Sequence, residues 1–240
     1  MKHPFRSHIL PLFTMGAGGL GFALRIWLFS AIDEKGLLPA RHFADTALYI
    51  LTALVLGILF LATRKLEPRQ FNKRFRRLSA AAAYLLGAVG LIVHALVSLS
   101  SSNARLATLA VIASAIGAIT MVYMAVLKYT RKRLPYWLGA ILTIVLMLNT
   151  VAQCQIWGAE PQLQVYGFPL LASVFLILTA YQKTALIANR GNTKLLAFFS
   201  QGALFLCCLS LTASQWPLYF GMLFWAAVQL YPCIRARKEA

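Results

Sequence analysis

Four side chains in this chain of 240 residues could hold a polar guest where polar chemistry is scarce. Arg25 stands in FALRIWLF, His94 in LIVHALV, and Asn149 and Gln153 in LMLNTVAQ, so nearly every neighbour is apolar. A guanidinium offers five N–H donors in a rigid fork that grips a carboxylate or phosphate bidentately. Imidazole and the two carboxamides both donate and accept. Asn149 and Gln153 are spaced i, i+4, which puts them on one face of a helix. Together the four describe a binding site with Arg25 as cationic anchor and His94, Asn149 and Gln153 as hydrogen-bonding partners. A structural reading competes with it. Arg25 then snorkels or pairs with Asp33, Glu34 or Asp45, while His94 and Asn149 bond between helices. The structural reading is the more economical of the two.

Other motifs lose their chemical meaning in context. Gly16, Gly18 and Gly21 in GAGGLG spell the dinucleotide pattern G-x-G-x-x-G, which needs a strand-to-helix turn and an acidic residue about 20 positions on. Here the glycines interrupt a continuous apolar run, where small residues let helices approach closely. Ala83 with Gly87, and Ala113 with Gly117, repeat that spacing. The acidic residues, Asp33, Glu34, Asp45, Glu67, Glu160 and Glu239, all fall at or beyond the ends of apolar runs. This disfavours a proton- or sodium-driven pump, which would draw on a membrane-embedded carboxylate. No P-loop, HExxH or G-x-S-x-G motif occurs, and Cys154, Cys207, Cys208 and Cys233 lack zinc spacing. Of His3, His8, His42 and His94 only the last lies deep in an apolar run, a poor set for haem. No cofactor and no metal is expected.

The elements that must position the four residues follow from hydropathy. The chain is 60% hydrophobic and 12% charged, whereas soluble domains carry about 25% charged residues. A membrane helix needs roughly 20 apolar residues to cross about 30 Å of hydrocarbon. Eight runs qualify, at about 8–31, 45–63, 78–99, 106–127, 135–153, 166–187, 195–213 and 216–234. The runs are continuous, without the period-2 alternation of a barrel wall. The fold class is therefore all-α: a single polytopic membrane helix bundle of eight transmembrane helices. The division between the seventh and eighth is the weakest, resting on Ala213, Ser214 and Gln215.

Charge supplies the orientation. The net charge of +17 would suggest a nucleic-acid partner in a soluble chain. Partitioned by segment, 19 of the 23 Lys and Arg fall at the two termini and after helices 2, 4 and 6, with Lys183, Arg190 and Lys194 assigned to the last of these. The other connections hold only Lys35, Arg41 and Arg105, leaving Arg25 inside the first helix. The positive-inside rule places both termini in the cytoplasm, predicts no nucleic acid, and puts the four polar residues in the outer half of the bilayer. The bacterial cytoplasmic membrane is the expected location. Membrane lipids are the expected partners, with the basic segment RKLEPRQFNKRFRR facing anionic inner-leaflet headgroups. A partner subunit or a homo-oligomer is the other association considered. Tyr136, Trp137, Trp216, Tyr219 and Tyr231 flank the spans as an interfacial belt. Gln182, Gln201 and Gln229 are expected near inner helix ends, in reach of headgroups.

The segment DEKGLLPARH resembles a stretch in uncharacterised bacterial multi-pass membrane proteins, a resemblance that implies no activity. The first functional reading is a small-solute or lipid transporter, or the membrane subunit of a transport complex, with an outward-facing polar pocket. The second is a membrane-embedded enzyme acting on a lipid-linked or phosphate-bearing substrate, with His94 as acid or base and Arg25 holding the phosphate. A purely structural or assembly protein is the third.

Overall fold

A computed structural model describes residues 9–31, 42–64, 78–99, 104–130, 132–157 and 166–229. Every regular element among them is helical apart from turns: α1 (Ile9–Ser30), α2 (Phe43–Arg64), α3 (Leu78–Leu99), α4 (Ala104–Tyr129), α5 (Tyr136–Trp157), α6 (Gly167–Ile187), α7 (Thr193–Ser210) and α8 (Trp216–Gln229). Seven of these are long and apolar enough to cross a membrane. The chain is thus an all-helical, multi-pass integral membrane protein. The eighth helix departs from expectation. Its 14 residues rise about 21 Å, short of the roughly 30 Å of a full span. The basic 65–77 segment, the resemblance segment up to residue 41, and Tyr231 lie outside the described residues.

Successive helices run up and down. Leu91 packs at Gly117, Ser114 meets Asn149, and Gly139 meets Thr184, each pair joining antiparallel neighbours. One end of the bundle therefore carries the α1–α2, α3–α4, α5–α6 and α7–α8 connections, here termed the first end. The second end carries the α2–α3, α4–α5 and α6–α7 connections. There Asn189 closes α6 in the left-handed region at φ 63°, and the Asn192 side chain accepts from the Lys194 N–H at 2.9 Å to cap the start of α7.

α7 is the most enclosed of the spans, packed among α1, α2, α6 and α8. α1 runs parallel to it. Cβ atoms added at Gly18 and Gly21 would strike Cys208 and Leu209, so those two glycines do provide a packing face. Gly16 and Gly19 of the same run meet nothing and contribute no contact. Gln201, expected near headgroups, is instead fully buried in α7 and accepts from Thr14 Oγ1 at 3.0 Å. Gln229 is buried too, its Nε2 donating to the Trp225 carbonyl. α2 shows the opposite character. It buries one stripe, Ala44, Leu48, Thr52, Val55, Leu59 and Thr63, and exposes Leu54, Ile58 and Leu61, as a lipid-facing helix should.

α3 and α8 cross at bare backbone. A Cβ on Gly90 would lie 2.6 Å from the Pro217 carbonyl and 2.8 Å from Gly221 Cα, and one on Gly221 would lie 2.9 Å from Gly90 Cα. In a bilayer, where lipid tails are as apolar as side chains, close contact of this kind is what holds helices together. The crossing pins α8 at its middle. Tyr219 projects from one side of that point toward the first end, and Trp225 from the other toward the second.

Candidate functional site

Arg25 enters the bundle from α1 and is only 2% exposed. Its Nη1 donates to the Leu209 carbonyl at 2.9 Å. Leu209 belongs to the last turn of α7, whose final four carbonyls have no partner within the helix and carry the negative end of its dipole. The guanidinium therefore acts as a C-cap supplied from another helix. Phe29 and Phe168 rings lie 5.5 Å from its carbon, and the Tyr219 and Tyr49 hydroxyls are near enough to interact with its charge. Asp33 and Glu34 lie outside the described residues.

Asn149 and Gln153 do share the buried face of α5 that their spacing requires. Asn149 Oδ1 accepts from Ser114 Oγ at 3.0 Å, and its Nδ2 donates to the Val145 carbonyl at 3.2 Å. One turn further on, Gln153 Oε1 lies 3.4 Å from the Tyr219 hydroxyl. That hydroxyl also sits 3.1 Å from the Pro169 carbonyl and 3.1 Å from Ser173 Oγ. A phenol has one proton, so it accepts from Ser173 while donating to one of the other two. Tyr219 is thus a buried junction between α5, α6 and α8, and not the interfacial belt residue expected. Trp216, by contrast, is half exposed as a belt residue should be.

His94 is 98% buried, with 2% of its surface exposed. Neither ring nitrogen has a hydrogen-bond partner among the described residues, and the same holds for Gln153 Nε2 and for Gln215 Oε1 in the α7–α8 turn. Since Leu91 packs at Gly117 in antiparallel α4, His94 one turn on falls level with Ser114, the partner of Asn149. All four sequence candidates are buried in the halves of their helices nearer the first end, but no hydrogen bond joins His94 to the other three among the described residues. Tyr219 links Gln153 with the field of Arg25, and Ser114 lies at the level of His94. An orphaned donor or acceptor in an apolar interior costs about 1–3 kcal/mol, so this end holds unspent hydrogen-bonding capacity.

A second polar region was not anticipated. Lys183, assigned by sequence to a connection, lies inside α6 and is 6% exposed. Its Nζ sits 4.4 Å from the centre of the Tyr84 ring and 5.6 Å from that of Trp225, an arrangement in which ring quadrupoles hold a desolvated cation. Beside it a cavity of about 220 Å³ is lined by Lys128, Arg133 and Lys183, with walls from Pro135, Tyr136 and Ile187. It opens at the second end, away from the four residues singled out by sequence. Tyr136 and Trp137 are exposed there as expected. Cys154, Cys207 and Cys208 are free thiols.

Sequence reasoning missed Tyr219, Ser114 and Ser173 at the first end, and the Lys183 cage at the second. An aromatic residue at a span end and a cation four residues from one are the patterns of belts and loops, and nothing local separates these exceptions. Comparison with known proteins finds no family model, no curated protein and no solved structure that matches the chain.

Proposed function

We propose that this integral membrane protein is a small-solute transport protein, acting alone or as the membrane subunit of a complex, and that its solute is polar, with anions preferred. The chain is oriented with both termini in the cytoplasm of a bacterium, which sets the Arg25, His94, Asn149 and Gln153 layer in the outer half of the bilayer. With Lys183 counted in α6, 18 of the 23 Lys and Arg remain at or beside the termini and alternate connections and support that orientation. The reading rests on one observation. Both His94 nitrogens are buried and without a hydrogen-bond partner among the described residues, toward the same end as the orphaned Gln153 Nε2. A packing residue would be better served by an apolar side chain of the same size. A solute-binding residue must keep its polar atoms uncommitted until the solute arrives. Arg25, committed in part to the Leu209 carbonyl, supplies field more than grip.

Native mass spectrometry of the protein released from its membrane tests this. The expected result is a small non-lipid adduct on the wild type that is absent from His94→Leu, and that proteoliposomes of the wild type, but not of the variant, take up. Identical adduct spectra for the two proteins would contradict the reading.

A further inference from the structure

We infer that the cavity between the α4–α5 connection and α6 is a second binding site, for a phosphate-bearing anion, distinct from the polar layer at the first end. Three cations from three places in the chain converge on it: Lys128 near the end of α4, Arg133 in the connection, and Lys183 from within α6. Cations that only mark a cytoplasmic loop spread into solvent, and none needs to be buried. Lys183 is buried, and its charge is kept in place by the faces of Tyr84 and Trp225. Beside it the Tyr84 hydroxyl and Trp225 Nε1 are both buried and have no hydrogen-bond partner among the described residues.

The cavity volume selects the class of ligand. About 220 Å³ falls below the roughly 300–1,000 Å³ of sites for drug-sized ligands, so the site suits a headgroup or a small ion. Phosphate is the anion that best matches two ammonium groups and one guanidinium, since its several oxygens accept from point donors and from a fork at once. The apolar wall of Pro135 and Ile187 favours an ester over the bare ion. Two sources share this chemistry, an anionic lipid headgroup and free phosphate. The inference is independent of the function proposed for the first end.

The experiment uses the full chain in maltoside micelles without added lipid. Short-chain phosphatidylglycerol, the matching phosphatidylcholine and inorganic phosphate are titrated in turn by calorimetry into wild type, Arg133→Gln and the Lys128→Gln, Arg133→Gln double variant. Preference for phosphatidylglycerol over phosphatidylcholine of at least tenfold, lost in the double variant, identifies a lipid headgroup. Binding of inorganic phosphate that weakens at least tenfold in the double variant identifies the free ion. Arg133 is exposed, so its single variant folds and decides the matter with the same readout, a weakening of at least threefold, where the double variant does not fold. Absence of binding by both phosphatidylglycerol and inorganic phosphate, or equal binding by wild type and variants, overturns the proposal.

Discussion

At the first end of the bundle a cation meets a backbone carbonyl and the polar side chains are buried, whereas at the second end three cations line an open cavity. The two ends solve the same problem, that of keeping charge in an apolar medium, by different physics. Arg25 meets the negative end of a helix, its nitrogen 2.9 Å from the Leu209 oxygen. Lys183 is held by aromatic faces, 4.4 Å above Tyr84. A guanidinium bonded to a carbonyl is fixed in direction and serves to position α1 against α7. An ammonium resting on ring faces is held without a fixed bonding direction. The short helix α8 takes part in both arrangements, giving Tyr219 to one end and Trp225 to the other about the Gly90–Gly221 crossing.

That shared pivot offers the most drastic way to break the comparison. Gly90→Leu would drive four carbons into the Pro217 carbonyl and Gly221 backbone, neither of which can yield, so both ends should fail together. We expect destabilisation at or above the about 3 kcal/mol upper end of ordinary overpacking, seen as a large fall in melting temperature in detergent. Gly16→Ala, in open space on α1, is the matched control and should leave melting unchanged or slightly raised. Arg25→Leu comes next. It removes a charged hydrogen bond from a buried helix terminus, a loss of about 1.5–3 kcal/mol, and should disturb the first end while leaving phosphate or headgroup titration at the second end as in wild type. Tyr219→Phe removes only the hydroxyl that joins Gln153, Ser173 and Pro169, and thermal denaturation should report about 0.5–1.5 kcal/mol. Arg133→Gln, at an exposed position, should change stability by no more than about 0.5 kcal/mol while weakening anion binding. A variant that shifted stability strongly there would make Arg133 a structural residue and erase the contrast between the ends.

How much of this was legible follows the range of the interactions. Apolar length is local, and so the third span was expected at 78–99 and is Leu78–Leu99, and the sixth was expected at 166–187 and is Gly167–Ile187. The i, i+4 pairing of Asn149 with Gln153 is local as well, and held. The partner of Arg25 is 184 residues away in sequence, and its role depends on where α7 ends, which a run of apolar residues through Ala213 concealed. Tyr219 and Trp216 stand three residues apart at the same helix start, yet one is fully buried and the other half exposed. Only the docking of α8 on α3 through Gly90 and Gly221 decides which is which, and that docking is invisible to hydropathy. Lys183 was misplaced for the same reason, since its cage comes from Tyr84 and Trp225 on α3 and α8. That His94 would be buried was legible because a lone imidazole in the middle of an apolar run stands out on its own terms.

His94 also provides the most direct test of the central claim, that the first-end layer keeps polar atoms uncommitted for a solute. Thermal melting of the ligand-stripped protein should be compared with that of His94→Leu. If the two ring nitrogens are a standing cost, Leu removes it, and the variant is predicted to melt at the same temperature as wild type or higher. A lower melting temperature for His94→Leu would mean that the imidazole is bonded within the fold, and would contradict the account.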